Sequence, residues 1–189
     1  ATALGATTIG DAAEVTINSK NADSNNITNT IGGLVLDTAR TSSLTLVAED
    51  SAGIDTGTIT ATGALASLSL SSAAGAASTI GAVVDGTNLE TLSISSTGTS
   101  STATIGALGG TTDAALPALT ISAAGTSTTT VEDIWSDQSS ALTSVTISAS
   151  DANSTVDLIP TSDIDFGSGT IASLAITVGD NATLMFEDI

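Results

Sequence analysis

An all-β fold wound as a parallel β-solenoid (β-helix) of about seven short coils is what this sequence predicts, and three observations predict it. One phrase with apolar residues at its first, fourth and sixth positions recurs down the chain, a second phrase sits between its copies, and bulky residues are too scarce for a conventional core. The first phrase is clearest at Leu89-Glu90-Thr91-Leu92-Ser93-Ile94 and returns from Leu65, Leu116, Leu142 and Ile171, with weaker copies from Ala12 and Thr41. Successive copies start 24 to 29 residues apart. That period belongs to solenoids, whose repeats bury their apolar faces only by stacking on one another.

The second phrase reads Thr-Ile-Gly at Thr30-Ile31-Gly32, Thr79-Ile80-Gly81 and Thr104-Ile105-Gly106, with looser versions at Thr8-Ile9-Gly10, Thr58-Ile59-Thr60, Thr130-Val131, Thr155-Val156 and Thr183-Leu184. Each repeat therefore holds two strand-like pieces. In both, apolar residues alternate with Ser or Thr, so one side chain points inward and the next outward. Leu68, Leu70, Leu92, Ile94, Leu119, Ile121, Val145, Ile147, Leu174 and Ile176 are the expected core column.

Hydrophobic residues make up 41% of the chain, carried largely by Ala, while aromatics are 2%. A narrow stacked column tolerates this; a globular core does not. Ser and Thr supply about a third of the residues, and β-branched Thr suits exposed strand positions. Lys20 and Arg40 are the only cations against 20 carboxylates, for a net charge of −18. That balance excludes nucleic acid as a partner and adsorption to an anionic bilayer. Self-repulsion calls for condensed cations, divalent ones above all. Cysteine and histidine are absent, which removes disulfides and the usual transition-metal ligands. No apolar run approaches the roughly 18 residues of a membrane-spanning helix.

In chain order, residues 1–11 read as the second half of a repeat. Val15 to Ile17 opens a complete one, and the polar stretch Asn18 to Asn29 reads as a loop leaving the solenoid. Strands follow at Ile31 to Leu36 and Leu44 to Val47, then an acidic turn over Glu49 to Asp55. Repeats are most regular from Ala61 to Gly110. Pro117, unable to donate to a ladder, belongs at the start of its strand. Glu132 to Ser139, with Trp135, is expected to form a short helical turn near residue 135. Asp151 to Gly169 is the densest acidic stretch. The chain opens on Ala1 with no basic leader segment, and both ends stop in mid-repeat without a polar cap. The expectation is a single β-solenoid domain, 1–189, that is either a fragment or a subunit whose ends are covered by the next copy.

Candidate sites are acidic. Asp163-Ile164-Asp165 leading into Phe166-Gly167 gives hard oxygen ligands ahead of a glycine turn, as calcium prefers; the same residues also suit a solvated corner. Asp151, Asn153 and Asp157 are expected on one strand face, and Asp50 and Asp55 across a turn, as further calcium ligands. Catalysis has little to draw on. Without His, Cys or Tyr only a paired-carboxylate glycosidase mechanism stays open, and the aromatic platforms such sites favour are missing, so no enzyme activity is expected. Outward threonines such as Thr58 with Thr60, and the run Thr128 to Thr130, form an irregular hydroxyl array that would order water or ice, or simply suit strands.

The run Ala77 to Val83 leading into Leu89-Glu90-Thr91-Leu92-Ser93-Ile94-Ser95, with its Thr/Ala/Ser/Gly bias, resembles the solenoid regions of bacterial surface-layer and adhesin-like proteins exported by type I secretion. Leu142 to Ile147 and Ser78 to Gly81 resemble the leucine-rich repeats of surface proteins. Either resemblance implies an extracellular, structural or adhesive protein: a self-assembling building block of a surface layer or filament, with calcium or another divalent cation on its acidic surface. Its implied partners are further copies of itself and a cell-surface glycan. A monomeric adhesion or ice-binding module is the alternative.

Overall fold

The structure, a computed structural model, describes residues 3–10, 12–21, 27–36, 42–60, 65–84, 89–108, 118–132, 143–158 and 172–186. Among these residues there are two parallel sheets and no helix. The first sheet runs β1 (Ala3–Ile9), β3 (Ile27–Leu36), β5 (Ala52–Thr60), β7 (Ala77–Val84), β9 (Thr102–Leu108), β11 (Thr128–Val131), β13 (Thr155–Leu158) and β15 (Thr183–Phe186). The second runs β2 (Glu14–Lys20), β4 (Ser43–Glu49), β6 (Ser67–Ala73), β8 (Thr91–Thr97), β10 (Ala118–Ala124), β12 (Ser144–Ala149) and β14 (Ser173–Val178). Successive strands of the chain alternate between sheets, so each coil contributes one strand to each. This is the predicted parallel β-solenoid. The helical turn expected near residue 135 lies outside the described residues.

The recurring phrase fixes the register. Its fourth positions stack as Val15, Leu44, Leu68, Leu92, Leu119, Val145 and Leu174, and its sixth as Ile17, Leu46, Leu70, Ile94, Ile121, Ile147 and Ile176. Like therefore sits on like, and the rows from β4 to β12 are buried. The first position is buried too at Leu65 and Leu89, and half-buried at Ala12 in the end coil. A third inward row, Ser19, Ala48, Ser72, Ser96, Ala123 and Ala149, is small because the sheets converge there on a tight turn.

The expected core column fails at its last two members. Leu174 is 57% and Ile176 48% exposed although they share rows with buried neighbours, because β14 is the edge strand of its sheet. The coil count is corrected for the same reason. The solenoid has about five turns against the seven expected: the coils from β4 to β13 are enclosed, while β2 and β14 are the edge strands of one sheet and β1 and β15 those of the other.

The Thr-Ile-Gly phrase marks a bend. In β5 the inward residues are Ile54 and Thr56, then Ile59; in β7, Ser78 and Ile80, then Val83. The alternation skips one place at Gly57 and at Gly81. Gly32, Gly57, Gly81 and Gly106 stack there in successive coils, each packed against the backbone of the glycine one coil earlier. Of the looser copies of the phrase, Thr130-Val131 is in register with Thr104-Ile105 and the others are not. Thr56-Gly57, not Ile59-Thr60, aligns with Ile80-Gly81, and Leu4 rather than Ile9 aligns with Ile31. Likewise Asp157-Leu158, not Thr155-Val156, aligns with Thr130-Val131, and Met185-Phe186, not Thr183-Leu184, comes next. A Thr-plus-aliphatic pair recurs throughout a strand; only the glycine contact is positional.

Where it is described, the polar stretch expected to leave the solenoid is strand except at Asn21, since β2 continues to Lys20 and β3 starts at Ile27, with 22–26 outside the described residues. Its inward polar groups satisfy one another: Asn29 Nδ2 donates to Ser19 Oγ (2.7 Å), and Ser19 Oγ donates to the Gly53 carbonyl (3.0 Å). The acidic turn is likewise shorter than expected, with Asp50 and Ser51 turning and Ala52 already in β5.

A Cβ added at Gly57 would collide with the Gly32 carbonyl oxygen, whereas one at Gly33 meets its nearest atom at 3.7 Å. Gly57→Ala should therefore cost about 1–3 kcal/mol and Gly33→Ala less than about 0.5. Paired thermal melts of the two variants check the register at this bend.

Candidate functional site

From β4 to β14 each second-sheet strand passes into the next first-sheet strand through a tight turn, and these turns stack into a ridge. Left-handed backbone recurs along it, at Asp50, Ser51, Ala74, Gly75, Gly98, Ser100, Gly125, Asn153 and Asn181. Buried serines brace it from beneath. Ser101 Oγ donates to the Thr97 carbonyl (2.6 Å), Ser127 Oγ to that of Ala124 (2.8 Å) and Ser154 Oγ to that of Asp151 (2.7 Å). Following the strand registers one or two residues onward, Asp50, Ala74, Gly98, Gly125, Asp151 and Asp180 form one row along the ridge.

The sequence-predicted ligands are scattered over this frame. Asp50 lies in the turn and is engaged by Lys20, whose Nζ stands 3.4 Å from its Oδ2 and 3.2 Å from Glu49 Oε2. Hydrogen bonding to Glu49, then to Asp50, raises the lysine above its ordinary pKa. The sign for a raised lysine is that its contribution is complete through neutral pH and is lost only as pH climbs beyond the lysine range. Asp151 is also in a turn, and its Oδ2 accepts the Gly125 N–H at 2.9 Å. Asn153 is in the same turn with left-handed backbone, its N–H donating to the Asn181 carbonyl (3.0 Å).

Asp157 instead sits on the outer face of β13. Asp151, Asn153 and Asp157 are thus not on one strand face, because the first two precede the strand and only the third belongs to it. Asp55 lies on the outer face of β5, in the row Thr30, Asp55, Thr79, Thr104, Thr130 and Asp157. Within that row Asp55 and Asp157 are four coils apart, and so are Asp50 and Asp151 in theirs. At the ~4.8 Å spacing of strands this is about 19 Å, far beyond the reach of ligands to one calcium ion. Among the described residues no group of three or more acidic, His or Cys side chains is placed to hold a metal. Asp163 and Asp165 lie outside the described residues, as do Trp135 and Phe166.

The outer threonines are partly as expected. Thr58, Thr60, Thr128 and Thr130 face outward, but Thr129 is buried, its Oγ1 donating to the Ser122 carbonyl (2.6 Å) and lying 2.7 Å from Ser96 Oγ. A run of three like residues on a strand necessarily splits between faces. Sequence reasoning missed these interior hydroxyls altogether. Their trace was the recurring Ser-Thr pair at Ser101-Thr102, Ser127-Thr128 and Ser154-Thr155, whose first member turns in to brace the ridge.

No helix among the described residues is long and apolar enough to cross a membrane. No family model, curated protein or solved structure matches this chain. The class the fold defines is a parallel β-solenoid, here in a chain of net charge −18.

Replacing Asp151 by Ala removes the acceptor from the Gly125 N–H and should cost about 1 kcal/mol or less, while Asp151→Asn keeps an oxygen there and most of that stability. Urea titration of both variants measures the difference.

Proposed function

We propose that this chain is a structural, self-assembling building block of an extracellular surface layer or filament, whose acidic surface is bridged or screened by divalent cations such as calcium. The observation that carries this reading is the pair of end coils. Leu174, Ile176 and Val178 on β14 and Leu4 on β1 are 57%, 48%, 50% and 53% exposed, although their rows are buried everywhere inside the stack. A further copy of the chain stacked on either edge strand would cover these rows. Cations enter through the charge, since copies of net charge −18 repel one another unless counter-ions collect between them. The chain acts by shape, with no catalytic role. A cell-surface glycan is a further partner consistent with an adhesive lattice.

A monomeric adhesion or ice-binding module is the second reading, and the outward pairs Thr102 with Thr104 and Thr128 with Thr130 favour it. Asp55 and Asp157 interrupt the row to which Thr104 and Thr130 belong.

Negative-stain microscopy in calcium, then in excess chelator, tests the first reading. Filaments or sheets that dissolve on chelation are expected; dispersed particles in both conditions would overturn it in favour of the monomer. Leu174→Glu adds a decisive arm. Because Leu174 is already more than half exposed, the variant should melt within a few degrees of the parent, yet assemble far less.

A further inference from the structure

The outer face of the second sheet stands apart from the rest of the solenoid in charge. From β6 to β14 every outward position on its five strands is Ser, Thr or Ala. The chain carries 20 carboxylates, yet none of those on described residues falls on this stretch of the face. Glu14 and Glu49 belong to β2 and β4 beyond it, and Glu90 stands just ahead of β8 at its border. The outer face of the first sheet, by contrast, holds Asp55 and Asp157.

Strand register orders the hydroxyls of this face into rows. Thr45, Ser69, Ser93, Thr120 and Thr146 form one, and Ser71, Ser95, Ser122, Ser148 and Thr177 form the next. None of these hydroxyls hydrogen-bonds to another described residue, unlike the inward Ser96, Ser127 and Thr129, which are bonded to one another. Each outer hydroxyl therefore keeps its donor and its acceptor sites for whatever meets the face. From β6 onward no outward side chain is longer than Thr, so nothing stands proud of the array.

We propose that two copies of this chain pair side by side through this face, second sheet against second sheet about a two-fold axis. This rests on the self-assembly reading above and names the surface and the partner of a lateral contact. Copies of net charge −18 repel one another, and here they meet without setting carboxylate against carboxylate. A hydroxyl both donates and accepts, so an array of hydroxyls is complementary to a second copy of itself. A cationic partner would find no counter-charge on it, and an apolar one would leave the hydroxyls unpaired.

Area supports the same partner. Five strands at ~4.8 Å spacing and about seven residues at ~3.3 Å each give a face of about 24 by 22 Å, or roughly 500 Å² a copy. A pair thus buries about 1,000 Å², the lower bound of a specific interface. Such a contact is weak alone and gains strength when many copies in one lattice make it together. Thr120 is exposed and lies on β10, the middle one of the five strands. A two-fold pairing centred on the face brings Thr120 beside its own counterpart.

Two matched pairs of variants test this. Thr120→Asp and Thr104→Asp add the same charge to opposite sheets, Thr104 lying on the outer face of β9 between Thr79 and Thr130. Circular dichroism checks that both stay folded. In sedimentation equilibrium Thr120→Asp should weaken association about tenfold, while Thr104→Asp stays within about twofold of the parent. The chain has no cysteine, so Thr120→Cys and Thr104→Cys each carry a single thiol, and mild oxidation should link only the first into dimers. Equal weakening by the two acidic variants, or equal cross-linking at the two cysteines, would overturn the paired face while leaving self-assembly standing. A parent chain that stays monomeric at every concentration would overturn both. A monomer that slows ice recrystallisation, and loses this in Thr120→Asp alone, would overturn the pairing and assign the face to ice.

Discussion

In-register parallel stacking is the constraint from which everything else in this solenoid follows. Each strand hydrogen-bonds to the strand one coil above and one coil below, so a residue is held about 4.8 Å from its counterparts in neighbouring coils. Small differences between coils can be absorbed, but not differences of kind. Leu, Ile and Val therefore form continuous rows through the interior. Where the sheets close on the turns, the enclosed positions are Ser and Ala, and the row reaches Val only at the exposed edge strand. Where one backbone crosses tightly over the next, glycine stacks on glycine.

The same constraint explains which features were legible in the sequence. The six-residue phrase was readable because its three apolar positions face one enclosed column and nothing else satisfies them. Its spacing gave the solenoid and its period. The second phrase was legible where its glycine stacks on that of a neighbouring coil, at Gly32, Gly81 and Gly106, and at Thr130-Val131, but misleading elsewhere. Thr and an aliphatic residue alternate along the whole first sheet, so Ile9 and Ile59 imitated the pattern from the wrong row. Interior hydroxyls such as Thr129 and Ser96 were invisible for a different reason. Ser and Thr are equally at home on an outer strand face and in a buried hydrogen-bonded pair, and only the parity of the strand decides.

The acidic candidates were misplaced because sequence proximity does not survive coiling. Asp151 and Asp157 are six positions apart in the chain, but a turn separates them and they project from different surfaces. Asp151 and Asp180 are far apart in the chain, yet adjacent in the ridge row. Reading a solenoid surface requires the row rather than the run, and the row becomes visible only once loop lengths have been subtracted coil by coil.

Charge is where stacking is least forgiving, since a like-charged row would repeat its repulsion at every step. The described outer strand faces meet this by dilution: Asp55 lies between Thr30 and Thr79, and Asp157 next to Thr130. The ridge departs from that pattern at its two ends, with Lys20 beside Glu49 and Asp50 near one and Asp151 stacked with Asp180 near the other. Interior coils are interchangeable in shape, so rows of Leu and Ile would accept a neighbour in several ways. Uneven charge along the ridge is an asymmetry that the uniform apolar rows lack.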